Sequence, residues 1–418
     1  SEYRWIGTEF RKVDGLSKST GATRYADDLS LPRMLHVKLL RSDVPHARIV
    51  SIDTSEAEAM EGVVATLIGK EVPNHFGILP ISQDEEALCV DRVRFVGDPV
   101  AAVAAVDEET AFQALQRIQV EYEELAPTFT PEAAIANKTP TLHEYGDDGN
   151  VHKRVSMQFG EVDKALEEEA DLVLDDTIFY QGNTHLAMEQ HASLAWQEPD
   201  GRMTVWSSTQ TPHYLHKAMS KVLDLPPSRI RIIACPNGGG FGGKSDPFNH
   251  EMVVAKLAQK TNRPCKVALT REEVFYCHRG RHPVLMNSRM GLRKSDGSIT
   301  GIHFQSLLDG GAYGSYGVAS TYYTGALQTV TYRVPTYRFD AVRAFTNKPP
   351  CGPKRGHGTV QPRFAIELQM DKAAHALGLD PADFRLRNLQ PPNSVTANWM
   401  RINTIGLEKC IEQVVEAS

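Results

Sequence analysis

The ten residues 235–244 read Cys-Pro-Asn-Gly-Gly-Gly-Phe-Gly-Gly-Lys, with five glycines in the six positions 238–243. Helix and strand do not tolerate that density, because each glycine in a regular element loses more backbone freedom than any other residue. The run therefore specifies a loop whose N–H groups are uncovered and can approach a large anionic ligand. An apolar, β-branched stretch at 229–234 predicts a strand before it, and Asp246 with Pro247 predicts a helix start after it. Strand, glycine turn and helix N-terminus together describe an anion cradle.

Gly238, Gly243, Lys244 and Ser245 also satisfy the phosphate-loop formula G-x-x-x-x-G-K-[ST]. A nucleotide-hydrolysing domain further requires a Mg²⁺-binding acid at the end of a later apolar strand. Asp309, closing the apolar stretch 306–309, is the candidate, although it runs directly into Gly310 and Gly311.

With 418 residues, the chain has length for two or three ordinary domains. Hydrophobic residues at 41% and charged residues at 23% are a globular composition, and no apolar run approaches a membrane span. A net charge of −7 without segregated Lys and Arg argues against nonspecific nucleic-acid binding. Residues 1–11 are polar and charged, with no secretory signal, so a reducing cytoplasm is the expected location. The six cysteines, Cys89, Cys235, Cys265, Cys277, Cys351 and Cys410, include no C-x-x-C pair. Neither an iron–sulfur cluster nor a structural zinc site is encoded by that spacing, which places any redox relay on other chains.

Alternating short strands and helices predict an α+β fold. Strands are expected at 35–40, 49–52, 63–68, 99–106 and 119–122, with a helix from Ser55 and another at 108–118, making a compact domain over 1–125. Residues 126–150 lose periodicity and gather Pro, Thr, Gly and Asp, which predicts a surface linker. A larger mixed domain is expected over 151–418. It has helices at 159–170, 212–223, 362–377 and 407–417, and strands around 173–180, 191–196 and 203–207.

A second glycine-flanked turn, 351–361, sets Arg355 and His357 among Gly352, Gly356 and Gly358. Arg offers a charged fork for oxyanions and His a proton carrier near neutral pH. Tyr323, after the glycine-rich stretch 310–317, reads as a core or interface aromatic or, less commonly, as a hydroxyl held beside a ligand on irregular backbone. His185 and Glu189 stand four apart, a spacing that fits a hydrogen-bonded structural pair better than a two-ligand metal site. His278, Arg279, Arg281 and His282 form a local basic patch, expected on a solvated face or a subunit contact.

Taken together these segments resemble the large molybdopterin subunit of the molybdenum hydroxylases, the family of xanthine dehydrogenase and aldehyde oxidase. The resemblance covers essentially the whole chain. Arg41-Ser42, Pro45-His46-Ala47-Arg48-Ile49 and Val96-Gly97-Asp98-Pro99-Val100-Ala101 look like its small N-terminal α/β hammerhead domain. Ser208-Thr209-Gln210, the 238–243 loop and Arg355-Gly356-His357-Gly358 look like its first molybdopterin-binding domain. The resemblance implies a molybdenum-bearing molybdopterin, in its cytosine dinucleotide form, held by the pterin dithiolene rather than by side chains. It assigns Gln210 to an oxygen ligand of the metal, the backbone of Gly239, Gly240, Phe241, Gly242 and Gly243 to the metal and pterin, and the backbone of Arg355 to the metal's oxygen ligands.

Ser245 stands where purine-oxidising members carry glutamate, and Tyr323 where they carry arginine, so xanthine is not the expected substrate. The segments 76–80, 323–327 and 349–360 look instead like the subgroup that reductively dehydroxylates 4-hydroxybenzoyl-CoA. That likeness implies an aromatic CoA thioester as substrate, with Tyr323 and His357 as proton donors. The alternative within the family is hydroxylation of an N-heterocycle or aldehyde by water, as in split-subunit nicotinate dehydrogenases. A half-subunit that binds cofactor without reacting groups is a further alternative, and a phosphate-loop ATPase a distant one. The family pattern continues into a second pterin loop and a catalytic glutamate that the residues after Arg355 do not contain, which fits either a fragment or, as the ending suggests, a split subunit. The expected partners are therefore a second molybdopterin subunit carrying that glutamate, an iron–sulfur subunit with 2Fe-2S clusters, and an FAD subunit.

Overall fold

The fold is drawn from a computed structural model that describes residues 3–277 and 279–418; His278 lies outside the described residues. The strand Pro99–Ala105, Pro-Val-Ala-Ala-Val-Ala-Ala, is buried at all seven positions. Its alternate side chains feed two cores, as the period of a strand requires. Ala102 and Ala104 pack with Leu35, Leu67, Met252 and Leu257 on one face. Ala101, Val103 and Ala105 pack with Ala111, Ala114 and Ile118 on the other. Small alanines let helices approach both sides: Asn249–Thr261 on the first, Glu108–Leu115 on the second.

Pro99–Ala105 belongs to a seven-stranded mixed sheet whose strands come from both sides of the segment 126–150. Its order is Ile230–Ala234, Met203–Ser207, Ala192–Gln197, Cys265–Ala268, Leu35–Arg41, Pro99–Ala105, Val63–Ile68. Leu35–Arg41 runs parallel to Cys265–Ala268 with Leu35 opposite Cys265, so residues before and after 126–150 share one sheet. The segment 126–150 runs largely over the surface and is tied into the fold at a few points, where Thr128, Leu142, His143 and Asn150 are buried. Asn347 Oδ1 accepts from the N–H of Thr128 at 2.7 Å, and Asn150 Oδ1 from that of Leu142 at 2.9 Å.

A second, five-stranded sheet is ordered Val151–Phe159, Tyr337–Ala344, Ile299–Asp309, Val284–Leu292, Leu172–Tyr180. The helix Val360–Leu377 covers it through Ala365, Ile366, Met370 and Ala373, and stops at Gly378 in the left-handed region (φ 66°). Asp380 caps the next helix, Pro381–Asn388. The expected helix at 159–170 is shorter, Val162–Glu167, because Val151–Phe159 is claimed by the sheet. Among the described residues, no helix is long and apolar enough to cross a membrane.

Candidate functional site

Two parallel strand pairs deliver their carboxyl ends to one place. Met203–Ser207 and Ile230–Ala234 are parallel partners with Ser207 opposite Ala234, and they run into Gln210 and the glycine loop. Ile299–Asp309 and Tyr337–Ala344 are also parallel, with Asp309 opposite Ala344. They run into the helix Gly317–Ala326, which carries Tyr323, and into the turn bearing Arg355 and His357. Clefts outside the carboxyl ends of parallel strands are where open α/β sheets bind ligands.

The glycine loop is folded by its neighbours. Gln210 Oε1 accepts from the N–H of Gly242 at 3.0 Å and of Lys244 at 3.2 Å. Those two bonds fix the carboxamide's orientation and leave its nitrogen available as a donor. Gly239, Phe241 and Gly242 have φ of 106°, 54° and 97°. A Cβ on Gly240 would lie 2.5 Å from Gln210 Oε1, and one on Gly242 2.5 Å from the carbonyl of Pro353. The N–H groups of Gly239, Gly240 and Phe241 carry no hydrogen bond among the described residues. Three unengaged amides on a positive-φ turn form a concave donor set for an anion.

Phosphate-loop chemistry does not fit this geometry. Lys244 is 1% exposed and its Nζ lies 2.6 Å from Glu189 Oε2, which also accepts from the N–H of Gly238 at 2.7 Å. A phosphate-binding lysine must point into the loop, whereas this one is spent behind it. The expected helix start also moves. The helix begins at Asn249 behind Phe248, whose N–H donates to Glu251 Oε2 at 2.8 Å. Asp246 instead bonds Arg279 Nε at 3.1 Å and Ser315 Oγ at 2.5 Å, fully buried. Asp309, the expected Mg²⁺ acid, is paired with Lys348 Nζ at 2.6 Å and accepts from Thr346 Oγ1 at 2.6 Å. His185 and Glu189 take different partners: His185 Nε2 lies 2.8 Å from the carbonyl of Pro353.

In the second turn, the N–H of Arg355 donates to the carbonyl of Phe241 at 2.9 Å, and its own carbonyl accepts from Arg281 Nη2 at 2.6 Å. Both backbone groups of Arg355 thus have protein partners. His357 and Tyr323 do come together. Their rings meet edge to face at 5.4 Å, the Tyr316 ring stands 5.7 Å from His357, and His357 Nε2 lies 2.6 Å from Ser320 Oγ. Tyr323 sits on a helix rather than on irregular backbone. Burial, then the nearby Arg281 cation, pushes the His357 pKa down to about 4, so the imidazole is neutral at pH 7.

The residues 279–282 are where sequence reading fell short. Arg279, Arg281 and His282 are buried rather than solvated. Arg279 lies between Asp246 and Glu85. His282 Nε2 accepts from Arg343 Nε at 3.1 Å. Arg343 is itself fully buried, and a Cβ on Gly310 or Gly317 would come within 2.6 or 2.3 Å of its guanidinium carbon. The glycines of 310–317 therefore make room for an arginine. The alternation of basic residues with Gly280 was the one local signal of burial.

Comparison with known proteins bears on the family and the fold. The model of the molybdopterin cofactor-binding domain matches residues 142–389, and that of the aldehyde oxidase and xanthine dehydrogenase a/b hammerhead domain matches 20–126. The chain is 38% identical over 418 residues to the nicotinate dehydrogenase large molybdopterin subunit of Eubacterium barkeri, covering 99% of this chain and 96% of that one. It is 35% identical over 415 residues to the xanthine dehydrogenase molybdenum-binding subunit of Escherichia coli, covering 96% of this chain and 54% of the relative. The aldehyde oxidoreductase from Desulfovibrio gigas superposes with a TM-score of 0.93 at 26% identity, over 98% of this chain and 46% of that one. The chain thus spans about half the length of these last two and nearly all of the first. With both domain models matched in order and a near full-length relative at 38% identity, the chain belongs to the molybdenum hydroxylase family, as a large, molybdopterin-binding subunit.

Proposed function

We propose that this subunit serves a hydroxylating dehydrogenase that oxidises an N-heterocycle or an aldehyde with water as the oxygen source. The observation that carries the reading is the donor set of three unengaged amides, Gly239 to Phe241, beside the free carboxamide nitrogen of Gln210. It fits an oxo-rich, anionic molybdopterin, which wants N–H donors without side-chain bulk. When bound, that group supplies the two-electron acceptor for the net reaction, in which a C–H carbon and water become C–OH, two electrons and two protons.

The chain's own residues hold and orient. Gly239, Gly240 and Phe241 would donate their N–H groups to the cofactor and Gln210 its carboxamide nitrogen, while Gly242 and Gly243 let the loop pack closely against Pro353 and His185. Phe241 and the Tyr323–His357 pair offer apolar ring faces beside the cradle, which favour a flat substrate and exclude water. Neutral His357 accepts or donates a single hydrogen bond and does not serve as an imidazolium acid. That lowers the case for aromatic thioester reduction, where a ring radical anion must be protonated. The relatives named for nicotinate and xanthine also weigh toward heterocycles.

A second reading, reductive dehydroxylation of 4-hydroxybenzoyl-CoA or a related aromatic thioester, rests on the edge-to-face contact of Tyr323 with His357. In either case the cytosine dinucleotide form of the cofactor, a second molybdopterin subunit with a glutamate, and iron–sulfur and FAD subunits complete the proposed assembly. The purified complex should contain about one molybdenum per copy of this chain, as the single donor set requires. It should oxidise nicotinate-like heterocycles with an artificial electron acceptor. A molybdenum-free complex would sink the reading, and turnover of 4-hydroxybenzoyl-CoA alone would replace it with the second.

A further inference from the structure

We infer that Arg281 is a positioning residue that fixes the Arg355–His357 turn against the glycine loop, an inference that rests on the reading of that loop as the cofactor cradle. Its guanidinium donates to the carbonyl of Arg355 at 2.6 Å, with longer contacts to the carbonyl of Gly356 at 3.4 Å and to Gln361 Oε1 at 3.5 Å. Arg355 in turn donates its N–H to Phe241. Arg281, Arg355 and Phe241 therefore form one chain of bonds from a buried cation to the cradle.

The backbone around Arg281 is tied on both sides. Its N–H donates to the carbonyl of Asn183 at 2.9 Å, and the carbonyl of Gly280 accepts from the N–H of Gly352 at 2.8 Å. Two residues earlier, Arg279 grips Asp246, just beyond Ser245 at the end of the glycine loop. One short segment thus holds both cofactor-facing loops in register. The turn it holds has little stiffness of its own, since Gly356 and Gly358 flank His357 at φ of 77° and 72°.

Arg281 is buried, and among the described residues no carboxylate pairs with it. A buried guanidinium that meets carbonyls rather than an acid keeps its positive charge beside the site. Its planar fork, unlike an ammonium, can span two successive carbonyls.

The test compares Arg281→Gln and Arg281→Lys in the purified complex, by amide hydrogen exchange and by molybdenum content. With Gln, exchange over residues 352–359 should accelerate about tenfold to a hundredfold, the scale of one or two lost charge-assisted hydrogen bonds, while the helix Val360–Leu377 exchanges as before. Molybdenum per chain should fall. Lys, which can reach one carbonyl but not two, should give an intermediate result. Unchanged exchange over 352–359 in the Gln variant would overturn the proposal, as would a Lys variant identical to the parent. Acceleration spread through the whole chain in both variants would show a merely structural cation and also overturn it. If Gln alone unfolds the chain, loop-confined acceleration in the Lys variant supports the assignment. Absence of molybdenum from the parent complex would refute the cofactor reading, yet leave the exchange comparison able to judge Arg281.

Discussion

Arg355 holds Phe241 twice: its N–H donates to the Phe241 carbonyl at 2.9 Å, and its guanidinium lies 5.6 Å from the centroid of the Phe241 ring. Phe241 is a non-glycine residue at φ 54°, an unfavourable conformation that needs such support. The ring is thereby fixed at the rim of the cradle, where it remains 43% exposed.

Gly242→Ala should cost about 1–3 kcal/mol of loop strain, because it adds a Cβ at φ 97° and within 2.5 Å of the Pro353 carbonyl. Gly240→Ala drives its methyl against Gln210 Oε1 at 2.5 Å and breaks the bonds that Gln210 makes to the loop. Both variants should fold and lose molybdenum. Metal analysis of the purified complexes checks this, and full metal occupancy in either would mean that the loop is only a turn.

Tyr323→Phe separates the two proposed chemistries. The ring, which supplies the contact with His357, is kept and the hydroxyl removed. Heterocycle hydroxylation should change by less than about threefold. Loss of a positioned proton donor would instead lower turnover by roughly a hundredfold or more. A hundredfold fall with a nicotinate-like substrate would return the hydroxyl to the mechanism.

Lys244→Ala removes one half of an ion pair whose lysine is 1% exposed, leaving Glu189 uncompensated. Breaking such a pair costs about 3–5 kcal/mol. The thermal midpoint should fall steeply, and ATP with Mg²⁺ should not shift the midpoint of the parent chain. An ATP-dependent rise would restore the phosphate-loop reading.

Acid should destabilise the fold well above the usual carboxylate range. Burial is the leading cause that pushes His143, His185 and His357 down to about 4 and His250 to about 3, from an ordinary 6.5. Between pH 6.5 and 4 the unfolded chain binds protons that the folded chain refuses, so stability is lost as pH falls through that window. Glu251, pushed up to about 7 by burial, acts in the opposite sense and withdraws stability as pH rises from 4.5 through 7. Because four depressed histidines outweigh one raised carboxyl between pH 4.5 and 6.5, denaturant midpoints should rise across that window. A midpoint flat from pH 4.5 to 6.5 would show those histidines to be solvated.

Local rules carried the sequence reading where local forces decide. The strands Val63–Ile68 and Met203–Ser207 and the helices Pro212–Leu223 and Leu407–Ala417 fall where periodicity and caps place them. The glycine loop was legible as a donor set because no other composition leaves amides so bare. Asp246 misled because N-cap preference is a local statement, and Arg279, 33 residues away, outbids it. The basic run 279–282 resembled a wet face because the groups that receive it, Glu85, Asp246 and the carbonyl of Arg355, arrive from distant sequence. The hydroxybenzoyl-CoA expectation leaned on Tyr323 and His357 as acids. A histidine's protonation state is legible only once its burial is known, and His357 is buried beside a cation.

The pairing of Leu35–Arg41 with Cys265–Ala268 bears on how such proteins are inherited. Two regions matched by separate family models share the rungs of one ladder and one apolar interior, in which Leu35 touches the same cluster as Met252 and Leu257. Exchanging the front region between relatives would expose the backbone of Cys265–Ala268 along one side and ask a foreign strand to match its register. The two regions must therefore be passed on together, and a chimaera joined between residues 126 and 142 should fold only where the incoming strand restores the position of Leu35 against Cys265.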